Sequence, residues 1–424
     1  METSLLHPSP RRFPRRLELA RLVADAAGWL SRRAGRGAGG VIGGRVLLAL
    51  APDAAALLSA GRHVVLVSGT NGKSTTTAMT VTALRSQFAT DTNSDGANVP
   101  AGLVRTLASG RSDHVVLETD EGWLPWAVGE IRPSVAVLLN LSRDQLHRHP
   151  EVHAIASLWR AALSDVPLVV ANADDPGVVW AASEAAAVVW VAAGRRWTAD
   201  STACPACHRR LVVTGDVWGC ACGFTRPTPR WWLEGAELVG AQTRVPLRST
   251  LPGTVNIANA AMAVVAAVEL GTPLHSAVRA VAEVDQVAGR YAVYRLGRRS
   301  VRLLLAKNPA GWLEAVDMVV ASGAPIVIAF NCDGVDGRDP SWLYDVDLSP
   351  LRGRRIAVCG RRRSDMTVRL SIEGFAHVDQ YPALGAALRS MPPGRVDVIA
   401  NYTAFQSAHR WLLTAAEHEA VSRR

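Results

Sequence analysis

Residues 62–77 read Arg-His-Val-Val-Leu-Val-Ser-Gly-Thr-Asn-Gly-Lys-Ser-Thr-Thr-Thr, and they decide the fold of the surrounding chain. The aliphatic run at 64–67 predicts a buried parallel strand, Gly69 and Gly72 predict a tight loop, and a helical pattern begins near Lys73. When a strand, a glycine loop and a helix follow in this order, backbone N–H groups and the helix N-terminus surround phosphate oxygens. The stretch therefore predicts a phosphate-binding loop.

The loop carries the groups that ATP and Mg²⁺ require. Lys73 supplies a point charge for phosphate oxygens, and Ser74 supplies a hydroxyl for the metal ion. A standard loop of this kind has a glycine six residues before the lysine, where this chain has Val67, so the alternative is a plain turn between strand and helix. The predicted nucleotide-binding residues are Gly69, Thr70, Asn71, Gly72, Lys73, Ser74 and Thr75.

Length and composition indicate a multidomain protein outside the membrane. The 424 residues are 49% hydrophobic, which is enough for two or three domains with large cores. Every long apolar run is interrupted, so we expect neither a transmembrane helix nor a signal peptide, and we expect action in the cytoplasm. The net charge of +9 suits nucleic acid, anionic lipid headgroups or a polyphosphate substrate. The basic segment 11–16 is expected to be solvated, with contact to a membrane surface as the alternative.

The hydrophobic pattern divides the chain into three parts. In residues 1–57 we expect an amphipathic helix over 15–33 and a glycine-rich link over 35–44. Residues 58–298 alternate strands and helices, which predicts a doubly wound parallel sheet in a central α/β domain. Residues 299–424 are expected to form a smaller α/β domain with strands at 301–305, 326–330, 356–358 and 396–400.

The predicted strands of the central part end in polar residues. Residues 115–121 read Val-Val-Leu-Glu-Thr-Asp-Glu, and a carboxylate at the carboxyl end of a strand, beside a phosphate loop, is placed to hold Mg²⁺. Glu118 is the predicted metal ligand and catalytic residue. For Asp120 and Glu121 the alternative is an acidic loop that faces solvent. Two further strands end in the same way, at Asn140 and at Asn172-Ala-Asp-Asp175.

Four cysteines interrupt this pattern within an insertion at about 200–226. Two closely spaced pairs of thiolates on either side of a short strand-like segment, 211–218, suit a tetrahedral structural Zn²⁺ in a zinc ribbon. The alternatives are two disulfides or a redox pair. Cys332 and Cys359 are expected to be core residues in apolar strands. The predicted zinc ligands are Cys204, Cys207, Cys220 and Cys222.

Three residues farther along the chain complete the predicted nucleotide site. Asn256 and Asn259 share one face of a helix that runs to Leu270, where they could grip an adenine or ribose edge. The alternative for Asn256 is an N-cap. Arg290 follows the next helix and could reach a phosphate.

The order of these motifs resembles the Mur ligase superfamily, the ATP-dependent amide-forming enzymes of peptidoglycan synthesis. The resemblance implies a Mur-ligase-like central domain that binds ATP and Mg²⁺. The matching pieces are Gly69 to Thr75, Glu118, Asn140 with Asp144 and His147-Arg-His149, Asn172 to Asp175, Pro252 to Asn259, and Gly289-Arg290.

Three departures narrow the resemblance. The chain lacks the large N-terminal domain by which many Mur ligases hold a UDP-linked precursor, it has the four-cysteine insertion, and residues 331–347 are rich in aspartate. In all three it is similar to the MurT family, the ligase-like subunits of lipid II isoglutaminyl synthases. That similarity implies amidation of the D-glutamate α-carboxylate in the lipid II stem peptide through an acyl phosphate. The ammonia would come from a GatD glutamine amidotransferase partner.

The same resemblance assigns roles in the C-terminal domain. It implies that an aspartate there completes a Cys-His-Asp triad whose other two members lie in GatD, and Asp345 is the first choice, ahead of Asp347 and Asp339. The alternative is that these aspartates cap helices. Residues 305–306 are apolar where an acidic ribose contact is common in the family. Gln145 replaces a family histidine, and the absence of lysine between Lys73 and Lys307 excludes the family's carbamylated lysine from its usual place.

Two other functions compete with the amidating ligase. One is a ligase that adds an amino acid, such as folylpolyglutamate synthase or a stand-alone Mur ligase. The other is a zinc-ribbon ATPase that binds nucleic acid, which the scarcity of basic and stacking aromatic residues in the insertion disfavours. The favoured interpretation has a lipid II substrate at the inner membrane face and no nucleic-acid partner.

Overall fold

The computed structural model describes residues 13–34, 40–93, 97–144, 151–287, 289–334 and 339–422. Its first elements are helices α1 (Arg15–Arg33), α2 (Gly40–Leu50) and α3 (Ala54–Ser59). The central region then comprises β1 (His63–Ser68), α4 (Lys73–Arg85), β2 (Thr90–Thr92), α5 (Pro100–Ser109), β3 (His114–Glu118), α6 (Leu124–Ile131), β4 (Val135–Leu138), α7 (Val152–Leu163), β5 (Leu168–Asn172), α8 (Pro176–Ala182), β6 (Val188–Ala192), β7 (Val212–Thr214), β8 (Val217–Gly219), β9 (Trp231–Glu234), β10 (Glu237–Gly240), β11 (Thr243–Pro246), α9 (Thr254–Glu269) and α10 (Leu274–Val281).

The phosphate loop follows β1, an interior strand of a nine-stranded sheet. The strand order is β11-β10-β9-β6-β5-β4-β1-β3-β2, and all neighbours from β9 to β2 pair in parallel. Helices cover both faces of β1, so residues 64–67 are fully buried, which explains their unbroken aliphatic run. The predicted parallel sheet is confirmed. Its carboxyl edge brings the ends of β1, β3, β4 and β5 together.

Helix α2 packs tightly against α1 and α5. A Cβ atom added at Gly43 would lie 2.9 Å from the Ala24 carbonyl oxygen, and one at Gly44 would lie 1.8 Å from the Ala101 carbonyl oxygen. The predicted glycine-rich link is therefore wrong for residues 40–44, which begin α2. These glycines permit close helix packing. The prediction failed because a glycine-rich segment has the same composition whether it forms a linker or a tightly packed helix.

Gly44→Ala is expected to destabilise the protein by about 1–3 kcal/mol, because the new methyl group overlaps backbone that cannot rotate away. Thermal unfolding of the two proteins measures the change. Gly129→Ala is the matched control, since Gly129 lies in α6 with open space around the added Cβ, and it should raise stability by roughly 0.5–1 kcal/mol. Equal unfolding temperatures for both variants would contradict the packing argument.

The C-terminal region forms a second α/β layer structure. Its six-stranded sheet has the order β12-β13-β17-β14-β15-β16 and is parallel except for the β12–β13 pair. The predicted smaller α/β domain is thus confirmed as a fold. Its elements are β12 (Tyr291–Leu296), β13 (Arg299–Leu305), α11 (Pro309–Ser322), β14 (Ile326–Ala329), β15 (Ile356–Cys359), α12 (Arg363–Ile372), β16 (Asp379–Tyr381), α13 (Leu384–Ser390), β17 (Gly394–Ala400) and α14 (Tyr402–Ser422).

Two short-range predictions need correction. Cys359 is a buried core residue on β15, as expected, but Cys332 lies in a loop beyond the end of β14 with φ of 59°. It is buried, although it is not in a strand. The strand-like segment at 211–218 is a hairpin, because Gly215 with φ of 58° reverses the chain between β7 and β8.

Candidate nucleotide and metal site

The phosphate loop is held between the end of β4 and the start of α9. Gly72 has φ of 86°, and a Cβ atom there would lie 2.5 Å from Asn259 Oδ1. Asn140 clamps the loop from the other side, because its Oδ1 accepts from the Asn71 N–H at 2.9 Å and its Nδ2 donates to the Asn71 carbonyl at 3.0 Å. The loop is therefore preshaped, with glycine required where Asn259 approaches.

Lys73 is buried beneath the loop and paired with a carboxylate. Its Nζ donates to the Gly69 carbonyl at 2.5 Å and lies 2.7 Å from Glu121 Oε2. Burial alone would lower the pKa of Lys73, but attraction to Glu121 and other carboxylates raises it above its ordinary value. Burial would raise the pKa of Glu121, and attraction to Lys73 and Lys307 lowers it instead. Glu121 is 6% exposed, so the acidic-loop alternative is wrong for it.

Glu118, Ser74 and Arg290 meet beside the loop. Glu118 is 4% exposed at the end of β3, and among the described residues its Oε1 has only long contacts, 3.4 Å to Asn98 Nδ2 and 4.0 Å to Arg290 Nη2. Arg290 Nε donates to Ser74 Oγ at 3.2 Å. A buried carboxylate and a hydroxyl next to a phosphate loop are the oxygen ligands that suit Mg²⁺, so the donor set fits the predicted ion.

The two asparagines of α9 support the loop. Asn259 Oδ1 accepts from Thr76 Oγ1 at 3.3 Å, and Asn259 Nδ2 donates to Asn256 Oδ1 at 3.2 Å. The N-cap alternative for Asn256 is wrong, because Gly253 occupies that position and Asn256 Nδ2 donates to the Pro252 carbonyl at 2.7 Å. Both asparagines also line the cavities beside the loop.

Two cavities flank the phosphate loop. One, of about 130 Å³, contains Ser74, Thr75 and Arg290. The other, of about 480 Å³, lies over the carboxyl ends of β4, β5 and β6 and contains Asn140 and Arg195. The residues common to both are Asn71, Val255, Asn259 and Glu314. The loop thus lies between the two cavities, and the larger cavity has room for a nucleoside.

The C-terminal domain closes over this loop. Asn308 Nδ2, at the start of α11, donates to Asn71 Oδ1 at 3.2 Å. Lys307 forms an ion pair with Asp144, the family-motif aspartate that follows β4. Three residues of this motif lie outside the described residues: His147 and His149, which match the family pattern, and Gln145, which replaces a family histidine. The Asn308–Asn71 hydrogen bond and the Lys307–Asp144 ion pair therefore place the C-terminal domain directly at the loop.

Glu314 is a site residue that the sequence analysis missed. It lies on α11 and lines both cavities. The C-terminal domain thus brings an acid to the site from α11, although residues 305–306, where an acidic ribose contact is common in the family, are apolar. Burial raises the pKa of Glu314 to about 7, Asp317 adds to the rise, and Arg196 opposes it. Nothing in the local pattern of α11 distinguishes this glutamate from a solvated one, since its burial depends on how the two domains meet.

Glu314→Gln is expected to stabilise the protein more at pH 8 than at pH 5. The pKa of Glu314 is higher in the folded state than its ordinary 4.5, so wild-type stability falls as the pH rises from about 4.5 to about 7, and glutamine removes that loss. The gain at pH 8 should be roughly 1–3 kcal/mol, measured by thermal unfolding at the two pH values. Glu283→Gln, at an exposed carboxylate, is the control. A pH-independent difference for Glu314→Gln would contradict the assignment.

The aspartate-rich segment separates into two kinds of residue. Asp339 accepts from the Ser341 N–H and Asp347 accepts from the Ser349 N–H, both at 2.9 Å, so these two cap turns, as the alternative holds. The hydrogen bonds from Ser349 lower the pKa of Asp347. Asp345 ends a short 3₁₀ helix (Ser341–Asp345), is 41% exposed at its side chain, and pairs with Arg143 of the central domain at 2.8 Å.

The four cysteines of the insertion form one cluster. Their sulfur atoms lie within 4.8 Å of one another, and none of the four is in a disulfide. Cys204 and Cys222 are 3.7 Å apart at sulfur, and Cys207 and Cys220 are 3.4 Å apart. A tetrahedral zinc ion with bonds of about 2.3 Å separates its sulfurs by about 3.8 Å. The donor set and its spacing fit the predicted zinc ribbon.

The ribbon is joined to the residues that follow β5. Trp218 Nε1 donates to the Ala173 carbonyl at 3.3 Å, and Arg226 pairs with Asp174 at 2.6 Å. Asp175 caps α8 by accepting from the Gly177 and Val178 N–H groups. The Asn172-to-Asp175 motif therefore positions the insertion beside the larger cavity.

Cys220→Ser is expected to lower the zinc content well below one ion per chain and to loosen the insertion. The buried core of the insertion is small, comprising Leu211, Trp218 and two of the cysteines packed against Val179 of α8, so a bound metal would supply most of its stability. Metal analysis and limited proteolysis within 200–226 measure the two effects. Cys359→Ser, outside the cluster, should keep its zinc. Full zinc content in Cys220→Ser would contradict the ligand assignment.

Two families match this chain. The Mur ligase middle domain matches residues 67–204, and the MurT ligase C-terminal domain matches residues 305–405. A curated relative is the lipid II isoglutaminyl synthase (glutamine-hydrolyzing) subunit MurT of Streptococcus pneumoniae (strain ATCC BAA-255 / R6). It is 27% identical over 391 residues, which are 84% of this chain and 87% of the relative.

Solved structures share the fold. A pseudomurein peptide ligase type C from Methanothermus fervidus superposes with a TM-score of 0.65 at 18% identity, covering 82% of this chain and 78% of that one. The MurF ligase from Thermotoga maritima in complex with ADP superposes with a TM-score of 0.62 at 15% identity, covering 88% and 85%.

Residues 67–204 match the Mur ligase middle domain, and the chain shares the fold of the MurF ligase. Mur ligases use ATP and Mg²⁺. The match of residues 305–405 to the MurT ligase C-terminal domain, and the 27% identity along most of the chain, make this chain similar to the MurT ligase subunits.

Proposed function

We propose that this chain is the ligase subunit of an enzyme that amidates lipid II, converting the α-carboxylate of the stem-peptide D-glutamate into an amide with ATP. The observation that carries the proposal is a phosphate loop closed by a MurT-type domain. Asn308 of that domain donates to Asn71, and Lys307 pairs with Asp144. The S. pneumoniae relative bears the name of this activity.

The nucleotide would lie across the phosphate loop. Glu118 ends β3, on one side of β1, and the larger cavity lies over β4 to β6, on the other side. The γ-phosphate and Mg²⁺ therefore belong beside Glu118 and Ser74, and the nucleoside belongs in the larger cavity near Asn259. When bound, Mg²⁺ would neutralise charge that develops on the transferred phosphoryl group.

The reaction needs placement and charge neutralisation, with no side-chain nucleophile. A carboxylate oxygen of the substrate attacks the γ-phosphorus, and ADP leaves. Ammonia then attacks the acyl carbon, loses a proton, and phosphate leaves. Lys73, the loop N–H groups and Arg290 are the cationic and dipolar groups near the transferred phosphoryl, and the burial of Lys73 strengthens its interaction.

Ammonia would come from a GatD-type glutaminase partner, and Asp345 would complete that partner's Cys-His-Asp triad. Asp345 is half-exposed, and within the described part of the chain it makes no turn-capping hydrogen bond of the kind that Asp339 and Asp347 make. Exposed apolar side chains lie in the same region, Tyr344 at 61% and Ile372 at 61%. A carboxylate beside an exposed apolar surface suits a partner interface.

A ligase that adds an amino acid is the second candidate, and the solved structures that share the fold include a UDP-N-acetylmuramate-alanine ligase. The two are separated by testing the purified chain alone with ATP, lipid II and ammonium chloride, followed by mass spectrometry. The amidating ligase should form the amide with ammonium and without a partner. Product formation only with a free amino acid would favour the second candidate.

A further inference from the structure

Helix α1 is apolar on two opposite faces. Its inner face packs on the protein through Leu17, Ala20, Ala24 and Gly28. At 100° per residue, a second apolar stripe falls on the opposite face and points to solvent. The exposed fractions in this stripe are 64% for Leu19, 66% for Leu22, 51% for Val23, 51% for Trp29 and 59% for Leu30. A helix that only covers the core would carry polar residues at these positions.

Basic residues flank the stripe at both ends of the helix. Arg15 and Arg16 begin α1, Arg32 and Arg33 end it, and all four are exposed. The Arg33 guanidinium stacks over Trp29. Two acidic residues, Glu18 and Asp25, lie to one side of the stripe, and Asp25 pairs with Arg105. At 100° per residue Arg15 and Arg33 fall on the stripe itself, whereas Arg32 and Arg16, which pairs with Asp53, lie outside it. Apolar side chains, a tryptophan and terminal arginines on one exposed face are typical of helices that lie in a lipid headgroup region.

We propose that the α1 stripe docks on the surface of an anionic bilayer, with the helix lying in the interface plane. None of the helices in the described part of the chain is long and apolar enough to cross a membrane. The choice of a bilayer as occupant rests on the charge of the helix ends and on the chain's net charge of +9. It also agrees with the proposed function, because lipid II is membrane-anchored.

The position of α1 suits an acceptor that arrives from the bilayer. Helix α2 packs on α1 at Gly43 and on α5 at Gly44. Helix α5 begins at Pro100, two residues after Asn98, whose Nδ2 contacts Glu118. Helices α2 and α5 therefore link α1, which carries the stripe, to the β3 side of the phosphate loop. The larger cavity, over β4 to β6, lies on the other side of the loop. A lipid-linked acceptor could reach Glu118 without crossing the nucleoside cavity.

Vesicle flotation with the full chain tests the proposal. The probes are vesicles of 70% phosphatidylcholine with 30% phosphatidylglycerol and vesicles of phosphatidylcholine alone, at low and high salt. We expect binding to the anionic vesicles that weakens with salt, and at least a tenfold loss in Leu22→Glu/Trp29→Glu. Val213→Glu/Val217→Glu is the matched control, because it adds the same charge at exposed apolar residues of the zinc hairpin, 55% and 56% exposed, and should bind like wild type.

The outcomes separate this proposal from the proposed function. Amidation of a water-soluble stem-peptide substrate should be unchanged in Leu22→Glu/Trp29→Glu, and amidation of lipid II in anionic vesicles should fall with binding. Equal flotation of wild type and that variant would overturn the docking site. A change in the oligomeric state of this variant, or in its assembly with the glutaminase, would also overturn the docking site, because the stripe would then be a protein interface. Vesicle binding without any amidation would leave the docking site standing and overturn only the function.

Discussion

Lys73→Ala is expected to reduce ATP-dependent amidation at least a thousandfold and to destabilise the protein by about 3–5 kcal/mol. The loss of activity follows from removing the cation of the phosphate loop. The loss of stability follows because Glu121, 6% exposed, would keep a buried charge without its partner at 2.7 Å. Amidation rates and thermal unfolding measure the two effects separately.

The control for Lys73→Ala is the double variant Lys73→Ala/Glu121→Gln. It removes the buried charge as well, so it should recover most of the stability and none of the activity. The pair is intact at neutral pH: its contribution is lost as the pH falls through the lowered pKa of Glu121, or rises through the raised pKa of Lys73. Equal stability of the single and double variants at pH 7 would refute the buried pair, and substantial activity in either would refute the role of the loop.

Asp345→Asn is expected to lower glutamine-dependent amidation by about 10⁴-fold and to leave ammonium-dependent amidation nearly unchanged. An asparagine keeps the size of the side chain, but it cannot stabilise the charged histidine of a triad. Because the ATP site lies elsewhere, the chain should still use ammonia that is supplied directly. Rates with glutamine and with ammonium chloride, both in the presence of the glutaminase partner, measure the difference.

Two controls distinguish a triad role from a structural one. Asp347→Asn should behave like wild type with both nitrogen sources, since asparagine can still accept from the Ser349 N–H. Arg143→Ala removes the partner of Asp345 across the two domains without removing the carboxylate. If Asp345 served only to bridge the domains, Arg143→Ala and Asp345→Asn would lower both rates alike.

The sequence identified most of the fold because its strands are buried on both faces. Residues 64–67 form a continuous aliphatic run, and residues 301–305 are aliphatic except for Arg302, which is buried in an ion pair with Asp397. The place of these runs before glycine loops or helices specifies a parallel sheet. The order of motifs then indicated the family. The prediction of a link from glycine content was wrong at Gly43 and Gly44, where glycine permits close helix packing. The strand-like segment at 211–218 proved to be a hairpin, because Gly215 reverses the chain.

The site was harder to predict, because several of its contacts join distant segments. Local pattern located the phosphate loop, Glu118 and Arg290, which the structure brings together. It could not show that Lys73 pairs with Glu121, 48 positions away, or that Asn140 clamps the loop. Glu314 and Lys307 reach the site only because the C-terminal domain closes on it. Such contacts depend on tertiary packing, for which no local signal exists.

The most direct measurement follows nitrogen-15 from the side-chain amide of glutamine into lipid II, with ATP, this chain and a GatD-type glutaminase. Mass spectrometry of the stem peptide reads the product. We expect label in an α-amide of the D-glutamate residue with the wild-type pair, none with Lys73→Ala, and none with Asp345→Asn, which should form unlabelled amide when ammonium is supplied. Absence of labelled amide in the wild-type pair, or attachment of a whole amino acid in its place, would contradict the account.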